Sequence, residues 1–302
     1  MKQIYKEIKG VIPSSMKILI SGINGFTGRY VKSALEKVGH EVLGLVSNIT
    51  DYNALASEIT QVKPDAVIHL AALAFVGHGT ANSFYQVNLI GTRNLLEAIS
   101  INAPNVKSIL LASSANVYGN GSEGALSEDA IPAPANDYAV SKLAMENMTE
   151  LWKEKLPVFI VRPFNYTGVG QDKKFLIPKI VSHFLEKKPL IELGNLDVWR
   201  EFNDVRFVAE CYQRLIELDP PKGPINICTG QTYSLREVIE HCQDITGHNI
   251  EISVNPDFVR ANEVRILKGN NEKLKGLFAD IPSYPLDTTL RWMLGREPLQ
   301  AL

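Results

Sequence analysis

Short apolar runs alternate with longer helical patterns through the first half of this 302-residue chain. The runs lie at 17–20, 42–46, 66–70, 108–112 and 158–162, with helical spacing of apolar residues between them. Strands that alternate with helices of this length pair in parallel, because each helical crossover returns the chain to the same end of the sheet. A parallel sheet is covered by helices on both faces. The pattern therefore predicts an α/β fold built on a doubly wound parallel sheet.

A glycine-rich loop, Gly22-x-x-Gly25-x-x-Gly28, follows the first predicted strand and opens the first helix. Glycines at this spacing permit the tight turn, a close approach of the backbone to a pyrophosphate, and close packing of helix on strand. The helix N-terminus favours the phosphate charge. This context predicts a Rossmann-type dinucleotide site; the alternative is a tight turn without a ligand. The loop residues predicted to bind the cofactor are Gly22, Asn24, Gly25, Phe26, Thr27, Gly28 and Arg29.

The end of the second strand bears on the choice of cofactor. NAD sites usually place a carboxylate there for the ribose diol, but Leu45 to Asn48 supply none and Asp51 comes later. Arg29 could pair with the 2′-phosphate of NADP, although a solvated arginine in a first helical turn explains it equally well. We expect NADP(H), with NAD(H) left open.

The alternation loosens after residue 165, which predicts a second, smaller part of the molecule. We assign residues 1–15 to an N-terminal arm, 16–165 to the dinucleotide-binding domain, and 166–302 to a smaller α+β substrate lobe. The run 225–228 is expected to return to the main sheet as a strand.

Composition excludes several functional classes. A net charge of −2 gives no reason to expect nucleic acid as a partner, and no apolar run approaches the ~18 residues that a membrane span needs. The chain has three cysteines, an odd number, at Cys211, Cys228 and Cys242. Their spacing is not that of a metal site. We expect free thiols, no bound metal and a cytoplasmic location.

Tyr138 and Lys142 are four residues apart in a predicted helix, so they share one face. An ammonium beside the phenol favours the phenolate, and we therefore expect a lowered pKa for Tyr138. Ser113 and Ser114 follow the strand 108–112, at the sheet edge where ligands bind.

These motifs together resemble the extended short-chain dehydrogenase/reductase family. The motifs that carry the resemblance are the glycine loop, His69-Leu70-Ala71-Ala72, Asn88-x-x-Gly91-Thr92, Ser114-Ala115-Asn116-Val117-Tyr118-Gly119, Tyr138-x-x-x-Lys142 and Arg162-Pro163-Phe164-Asn165. The resemblance implies that Tyr138 exchanges a proton with a sugar oxygen, that Lys142 lowers the pKa of Tyr138 and holds the nicotinamide ribose, and that Ser114 hydrogen-bonds the reacting oxygen. The catalytic serine could also be Ser113, but the spacing to Val117-Tyr118-Gly119 favours Ser114. By the same resemblance the further cofactor contacts are Asn48, Asp51, Leu70, Ala71, Ala72, Asn88, Tyr138, Lys142 and Pro163.

The C-terminal half resembles the GDP-sugar branch of this family, through Gly194-Asn195-Leu196-Asp197-x-x-Arg200-Glu201-Phe202 and Arg260-x-x-Glu263-Val264. In that branch the matching arginines bind the diphosphate, and the matching acidic residue holds the nucleotide ribose. Ordinary surface ion pairs are the alternative for Arg200 and Arg260. The implied substrate contacts are Ser114, Asn165, Lys179, Asn195, Arg200, Arg260 and Glu263.

The residues beside Ser114 narrow the reaction. Dehydratases of this family carry a carboxylate there to remove the C5 proton, and Ala115 and Asn116 cannot. Asn116 also stands where related 3,5-epimerases have a cysteine. The resemblance thus implies an NADPH-dependent 4-reductase of a GDP-4-keto-6-deoxy hexose or heptose, in deoxysugar and O-antigen biosynthesis. The alternatives are a nucleotide-sugar 4-epimerase with tightly bound NAD and a cofactor-sensing binding protein. The family also implies a homodimer through helices at 84–100 and 138–152.

Overall fold

The computed structural model describes residues 15–74, 80–120, 123–259, 264–278 and 280–296. Apart from Ser15, the predicted N-terminal arm lies outside the described residues. So do two of the predicted substrate contacts, Arg260 and Glu263.

Strands and helices alternate as the sequence predicts. The strands are β1 (Lys17–Ser21), β2 (Glu41–Gly44), β3 (Ala66–His69), β4 (Ser108–Ala112), β5 (Gly124–Leu126), β6 (Val158–Pro163), β7 (Tyr166–Thr167), β8 (Leu190–Leu193), β9 (Trp199–Arg200), β10 (Asn203–Asp204), β11 (Ile225–Ile227), β12 (Tyr233–Ser234), β13 (Glu251–Val254) and β14 (Ile266–Gly269). The α-helices are α1 (Phe26–Lys37), α2 (Tyr52–Val62), α3 (Asn82–Phe84), α4 (Thr92–Asn102), α5 (Asp137–Thr149), α6 (Leu176–Leu185), α7 (Val205–Ile216), α8 (Leu235–Thr246), α9 (Glu272–Leu277) and α10 (Leu286–Met293). A π-helical stretch, Tyr85–Gly91, joins α3 to α4, and a 3-10 turn, Ala115–Tyr118, follows β4.

The main sheet has six strands in the order β11-β6-β4-β3-β1-β2, and every neighbouring pair is parallel. Ile18 on β1 and Ile20 pack with α1 and α7 on one face. Leu19, whose side chain points the other way, packs with α2 and α4 on the opposite face. Helices therefore cover both faces, which confirms the predicted α/β fold with a doubly wound parallel sheet.

The second half of the chain forms a smaller apolar cluster and also contributes to the main sheet. Phe184 on α6, Val238 on α8 and Leu290 on α10 belong to one buried cluster. In contrast, β11 pairs with β6, and α7 packs against α1. In the other direction, β5 from the first half pairs with β14. Because segments cross in both directions, the boundary at residue 165 stays a prediction.

Within the described ranges of the chain, no helix is long and apolar enough to cross a membrane. No group of three or more His, Cys, Asp or Glu side chains there is placed to hold a metal ion. The three cysteines are buried free thiols.

Candidate active site

The glycine loop closes against the carboxyl end of β3, and its geometry admits only glycine at two positions. Gly22 has a φ of 76°, in the left-handed region that favours glycine. At Gly28 a Cβ would lie 2.2 Å from the carbonyl oxygen of Gly22. No side chain caps the first turn of α1. The N–H groups of that turn lack intrahelical partners and suit a pyrophosphate, so the loop fits a dinucleotide.

A large cleft of about 1590 Å³ opens along the carboxyl ends of the strands. A smaller cavity of about 300 Å³ adjoins it and shares Gly22 and Ala72 with it. The predicted site residues that line the large cleft are Gly22, Gly25, Phe26, Thr27, Gly28, Leu70, Ala72, Ser114, Tyr138, Lys142, Pro163, Asn165, Lys179, Asn195 and Arg200. Those that line the smaller cavity are Gly22, Asn48, Ala71 and Ala72. The tertiary structure thus collects residues from most of the chain around two adjoining cavities.

Four predicted cofactor contacts line neither cavity. Asn24 is exposed on the loop, and Asp51 caps α2 by accepting a hydrogen bond from Ala54 N at 3.1 Å. The Arg29 guanidinium lies 3.4 Å from the carbonyl oxygen of Gly170. This contact directs it to the 166–172 segment, so the geometry does not support its predicted role at a 2′-phosphate.

Asn88 is the fourth, and its amide is fully engaged within the protein. Its Oδ1 accepts from Leu73 N at 2.9 Å, and its Nδ2 donates to Leu73 O at 3.1 Å and to Ser141 Oγ at 3.0 Å. Ser141 in turn donates to the carbonyl oxygen of Tyr138 at 2.7 Å. Asn88 therefore joins the loop after β3 to α5 behind the site, and its contact with the cofactor stays a prediction.

Ser114, Tyr138 and Lys142 meet at the carboxyl end of β4. The side chain of Asn136 caps α5 by accepting from Ala139 N at 2.9 Å, which fixes the start of the helix beside the cleft. The Ser114 hydroxyl accepts from Asn116 N at 3.1 Å and hydrogen-bonds the Tyr138 phenol. Lys142 is buried, and its Nζ donates to the carbonyl oxygen of Ala112 at 2.8 Å.

The protonation of this group differs from the sequence expectation. Burial raises the pKa of Tyr138 to about 12, although the hydrogen bond with Ser114 acts in the opposite direction. Burial also lowers the pKa of Lys142 to about 8, against the attraction of Glu146. The expected lowering of the Tyr138 pKa was wrong, because desolvation of the buried phenolate is the largest influence on this group and outweighs the hydrogen bond with Ser114. At neutral pH the phenol keeps its proton.

His69 organises the loop that separates the two cavities. Ser21 Oγ accepts from the N–H groups of Leu70 and Ala71 at 3.1 and 3.0 Å, so its hydroxyl donates to His69 Nδ1 at 2.6 Å. The other ring nitrogen then donates to Thr92 Oγ1 at 2.8 Å. Burial, with repulsion from Lys142, lowers the pKa of His69 to about 3. The imidazole stays neutral and has a structural role.

A buried ion pair behind the cleft connects α5 to β6. Arg162 donates to Glu146 through Nε at 3.0 Å and Nη2 at 2.6 Å, and through Nη1 to the Tyr118 hydroxyl at 3.0 Å. Burial would lower the pKa of Arg162, but the hydrogen bonds and charge of Glu146 raise it. Glu146 lies one turn beyond Lys142, so this pair anchors the helix that carries the site. Sequence reasoning did not single out Glu146, whose only signal is its four-residue spacing from Lys142.

The far end of the cleft carries cationic and aromatic side chains. Lys179 Nζ lies 4.8 Å from the centre of the Phe258 ring and donates to the carbonyl oxygen of Glu192 at 2.7 Å. Arg200 Nη2 donates to the carbonyl oxygen of Val264 at 2.9 Å. Phe175 and Phe258 are exposed apolar residues on the cleft wall. Sequence reasoning missed both, because an aromatic residue without a motif carries no functional signal.

Known proteins resemble this chain in sequence and in structure. A model of the NAD-dependent epimerase/dehydratase family matches residues 18–228, more than half of the chain. The chain belongs to this family. Membership confirms the predicted enzyme class and a nicotinamide dinucleotide as its cofactor.

Two relatives in sequence carry names that specify GDP-linked sugars. GDP-6-deoxy-D-talose 4-dehydrogenase of Aggregatibacter actinomycetemcomitans is 38% identical over 86% of this chain and 90% of its own length. GDP-6-deoxy-D-mannose reductase of Pseudomonas aeruginosa is 32% identical over 93% of this chain and 97% of its own length.

Two solved structures share the fold over nearly the whole chain. A Burkholderia cenocepacia J2315 protein, provisionally described as an epimerase, has a TM-score of 0.89 and 43% identity over 94% of this chain and 98% of its own. RMD from Pseudomonas aeruginosa, in complex with NADPH, has a TM-score of 0.83 and 30% identity over 93% of this chain and 99% of its own.

Proposed function

We propose that this chain catalyses the NAD(P)H-dependent reduction of the C4 ketone of a GDP-4-keto-6-deoxy sugar. The observation that carries the proposal is the Tyr138 phenol in the cleft, which burial keeps protonated and which hydrogen-bonds Ser114. A reductase needs a proton donor at the carbonyl oxygen, and a phenol that retains its proton at neutral pH meets that need.

A reduced dinucleotide held by the glycine loop would supply the hydride that C4 of the sugar gains. Ser114 Oγ donates a hydrogen bond to the carbonyl oxygen and polarises it. As the C4–O double bond becomes a single bond, the Tyr138 hydroxyl gives its proton to that oxygen. The Lys142 ammonium stabilises the phenolate that remains and is the proximal source of its replacement proton. One hydride and one proton thus convert the ketone to an alcohol.

The absence of a carboxylate beside Ser114 supports simple reduction over dehydration. Ala115 and Asn116 both line the cleft next to Ser114. Neither side chain can remove a proton from a sugar carbon at neutral pH. The proposed reaction needs no such base.

The names of the two GDP-sugar relatives support one common substrate. 6-Deoxy-D-mannose and 6-deoxy-D-talose differ only in the configuration at C4, so oxidation at C4 converts both into the same ketone. We therefore favour the GDP-linked 4-keto-6-deoxyhexose of this series as substrate. The face of the sugar that meets the nicotinamide then sets which C4 epimer is the product.

The test of this proposal is oxidation of the reduced cofactor with 4-keto-6-deoxy sugars carried on GDP, CDP, dTDP and UDP. We expect turnover with the GDP sugar, and NMR of the product to show reduction at C4. Turnover with only a non-guanosine sugar would contradict the GDP assignment.

A 4-epimerase is the second candidate, because the Burkholderia relative at 43% identity is provisionally described as one. An epimerase would retain its dinucleotide through purification and interconvert C4 epimers without net oxidation. Those two observations together would favour it over the reductase.

The rate of reduction is expected to fall as the pH rises through about 8. Lys142 loses its proton there because burial lowers its pKa to about 8, whereas the Tyr138 pKa of about 12 keeps the phenol protonated. The measurement is kcat/KM for the ketone from about pH 6 to about pH 10. In Lys142→Arg the guanidinium stays charged, so the decline should disappear from whatever activity remains. An unchanged decline in that variant would assign the titration to another group.

We also propose that the chain forms a homodimer through the helices at 84–100 and 138–152. Ile90, Val140 and Leu151 lie on this surface with 41%, 39% and 77% of their area exposed. Burial of such side chains against a second copy would be favourable. Leu151→Glu is expected to shift the mass measured by light scattering from dimer to monomer. Leu185→Glu, which changes an exposed leucine on α6, is the control and should leave the mass unchanged.

A further inference from the structure

The smaller cavity lies at the carboxyl end of β2, where dinucleotide folds hold the adenosine ribose. Ser47, Asn48 and Ile49 line it from the β2 side, and Ala71 and Ala72 line it from the β3 side. Groups at this position decide whether a 2′-hydroxyl or a 2′-phosphate is accommodated. The inference below rests on the proposed function only in assuming a nicotinamide dinucleotide.

Within the described part of the chain, the residues that line this cavity supply no cation for a 2′-phosphate. From Glu41 to Val62, which covers β2, α2 and the segment between them, the sequence has no Lys, Arg or His. None of the described residues that line the cavity is basic. Arg29, the one cation considered for this role, lies against Gly170.

An anion from α2 instead occupies the backbone donors at the end of β2. Glu58 Oε1 accepts from Val46 N at 2.8 Å, and Oε2 accepts from Ser47 N at 2.7 Å. Partial burial would raise the pKa of Glu58, but hydrogen bonds from the Ser47 side chain and the two N–H groups lower it overall. The carboxylate is therefore ionised at neutral pH. A 2′-phosphate would find those two N–H groups taken and a negative charge beside Ser47.

We propose that Glu58 is a specificity-determining residue that makes this chain select NAD(H) over NADP(H). The carboxylate reaches the end of β2 from the following helix, instead of from the strand itself. It disfavours a 2′-phosphate by repulsion and by occupying its donors. A ribose 2′-hydroxyl carries no charge and needs no cation.

The experiment is a titration of the purified chain with NADH and with NADPH, followed by the fluorescence of the reduced nicotinamide. It needs no sugar, so it is independent of the proposed reaction. We expect the dissociation constant for NADH to be lower by about tenfold or more. In Glu58→Gln the affinity for NADPH should rise about three- to tenfold, while that for NADH stays within about twofold.

Glu41→Gln is the matched control, because it removes the same charge from the exposed amino end of β2. It should leave the ratio of the two constants unchanged. Asn48→Arg is a second variant and should improve NADPH binding by placing a cation at the cavity. Circular dichroism verifies that each variant is folded.

Equal or tighter binding of NADPH by the unmodified chain would overturn the selectivity, whatever the variants do. An unchanged ratio in folded Glu58→Gln would overturn the role of Glu58. Binding of neither dinucleotide would overturn both this inference and the proposed function. Tight NADH binding without turnover of any keto sugar would contradict the proposed function alone.

Discussion

Replacing Tyr138 with phenylalanine is expected to lower kcat for ketone reduction by about 10²–10⁴-fold. The change removes the proton that the buried phenol holds at neutral pH and leaves the ring in place against Phe84. The glycine loop is untouched, so the affinity for the dinucleotide should change little. Steady-state kinetics and cofactor titration on the same preparation measure the two effects separately.

Tyr85→Phe is the matched control for this variant. Tyr85 is near the same helix and donates to Asp137 at 2.7 Å, but it does not line the cleft. Loss of its hydroxyl should leave kcat nearly unchanged. If Tyr138→Phe reduced the ketone at the normal rate, the proton would have to come from another group, and the proposed mechanism would fail. A binding protein without catalysis would also be unaffected by Tyr138→Phe, because it would not use the phenol as a proton donor.

Replacing Glu146 with glutamine is expected to destabilise the fold by about 3–5 kcal/mol, because it leaves the buried Arg162 charge without its partner. Both side chains are nearly inaccessible, with 6% and 7% of their area exposed. The free energy of unfolding from urea denaturation measures the loss. The helix that carries Tyr138 and Lys142 should loosen as well, so activity should fall before the chain unfolds.

The exposed pair Lys32–Glu36 provides the comparison. Its side chains have 43% and 45% of their area exposed, so Glu36→Gln should cost less than about 1 kcal/mol. Equal costs for the two substitutions would show that burial does not govern the strength of the Arg162–Glu146 pair. A double replacement, Glu146→Leu with Arg162→Met, should recover part of the loss, since no charge then remains unpaired.

The architecture was largely predictable because its signals are local. Strand and helix periodicity, the glycine loop and the helical spacing of Tyr138 and Lys142 each lie within a short stretch of chain. Helix α8, Leu235–Thr246, likewise ends at a local signal, Gly247, which is in the left-handed conformation. The parallel pairing of the strands followed from the alternation of strands and helices along the chain.

The sequence also determined which reactive side chains the cleft contains: a serine, a tyrosine and a lysine, with no carboxylate beside the serine. Only the tertiary structure decided how those groups are protonated and which neighbours hold them. The pKa of Tyr138 depends on burial by segments far away in the chain, and the sequence expectation of a lowered value failed for that reason. The sequence also did not reveal the side-chain directions of Asn88, Arg29 and Glu58. These directions are set by their hydrogen-bond partners, which are Ser141, Gly170 and Ser47 respectively. Local patterns fix the elements, whereas charge, orientation and selectivity come from contacts that only folding brings together.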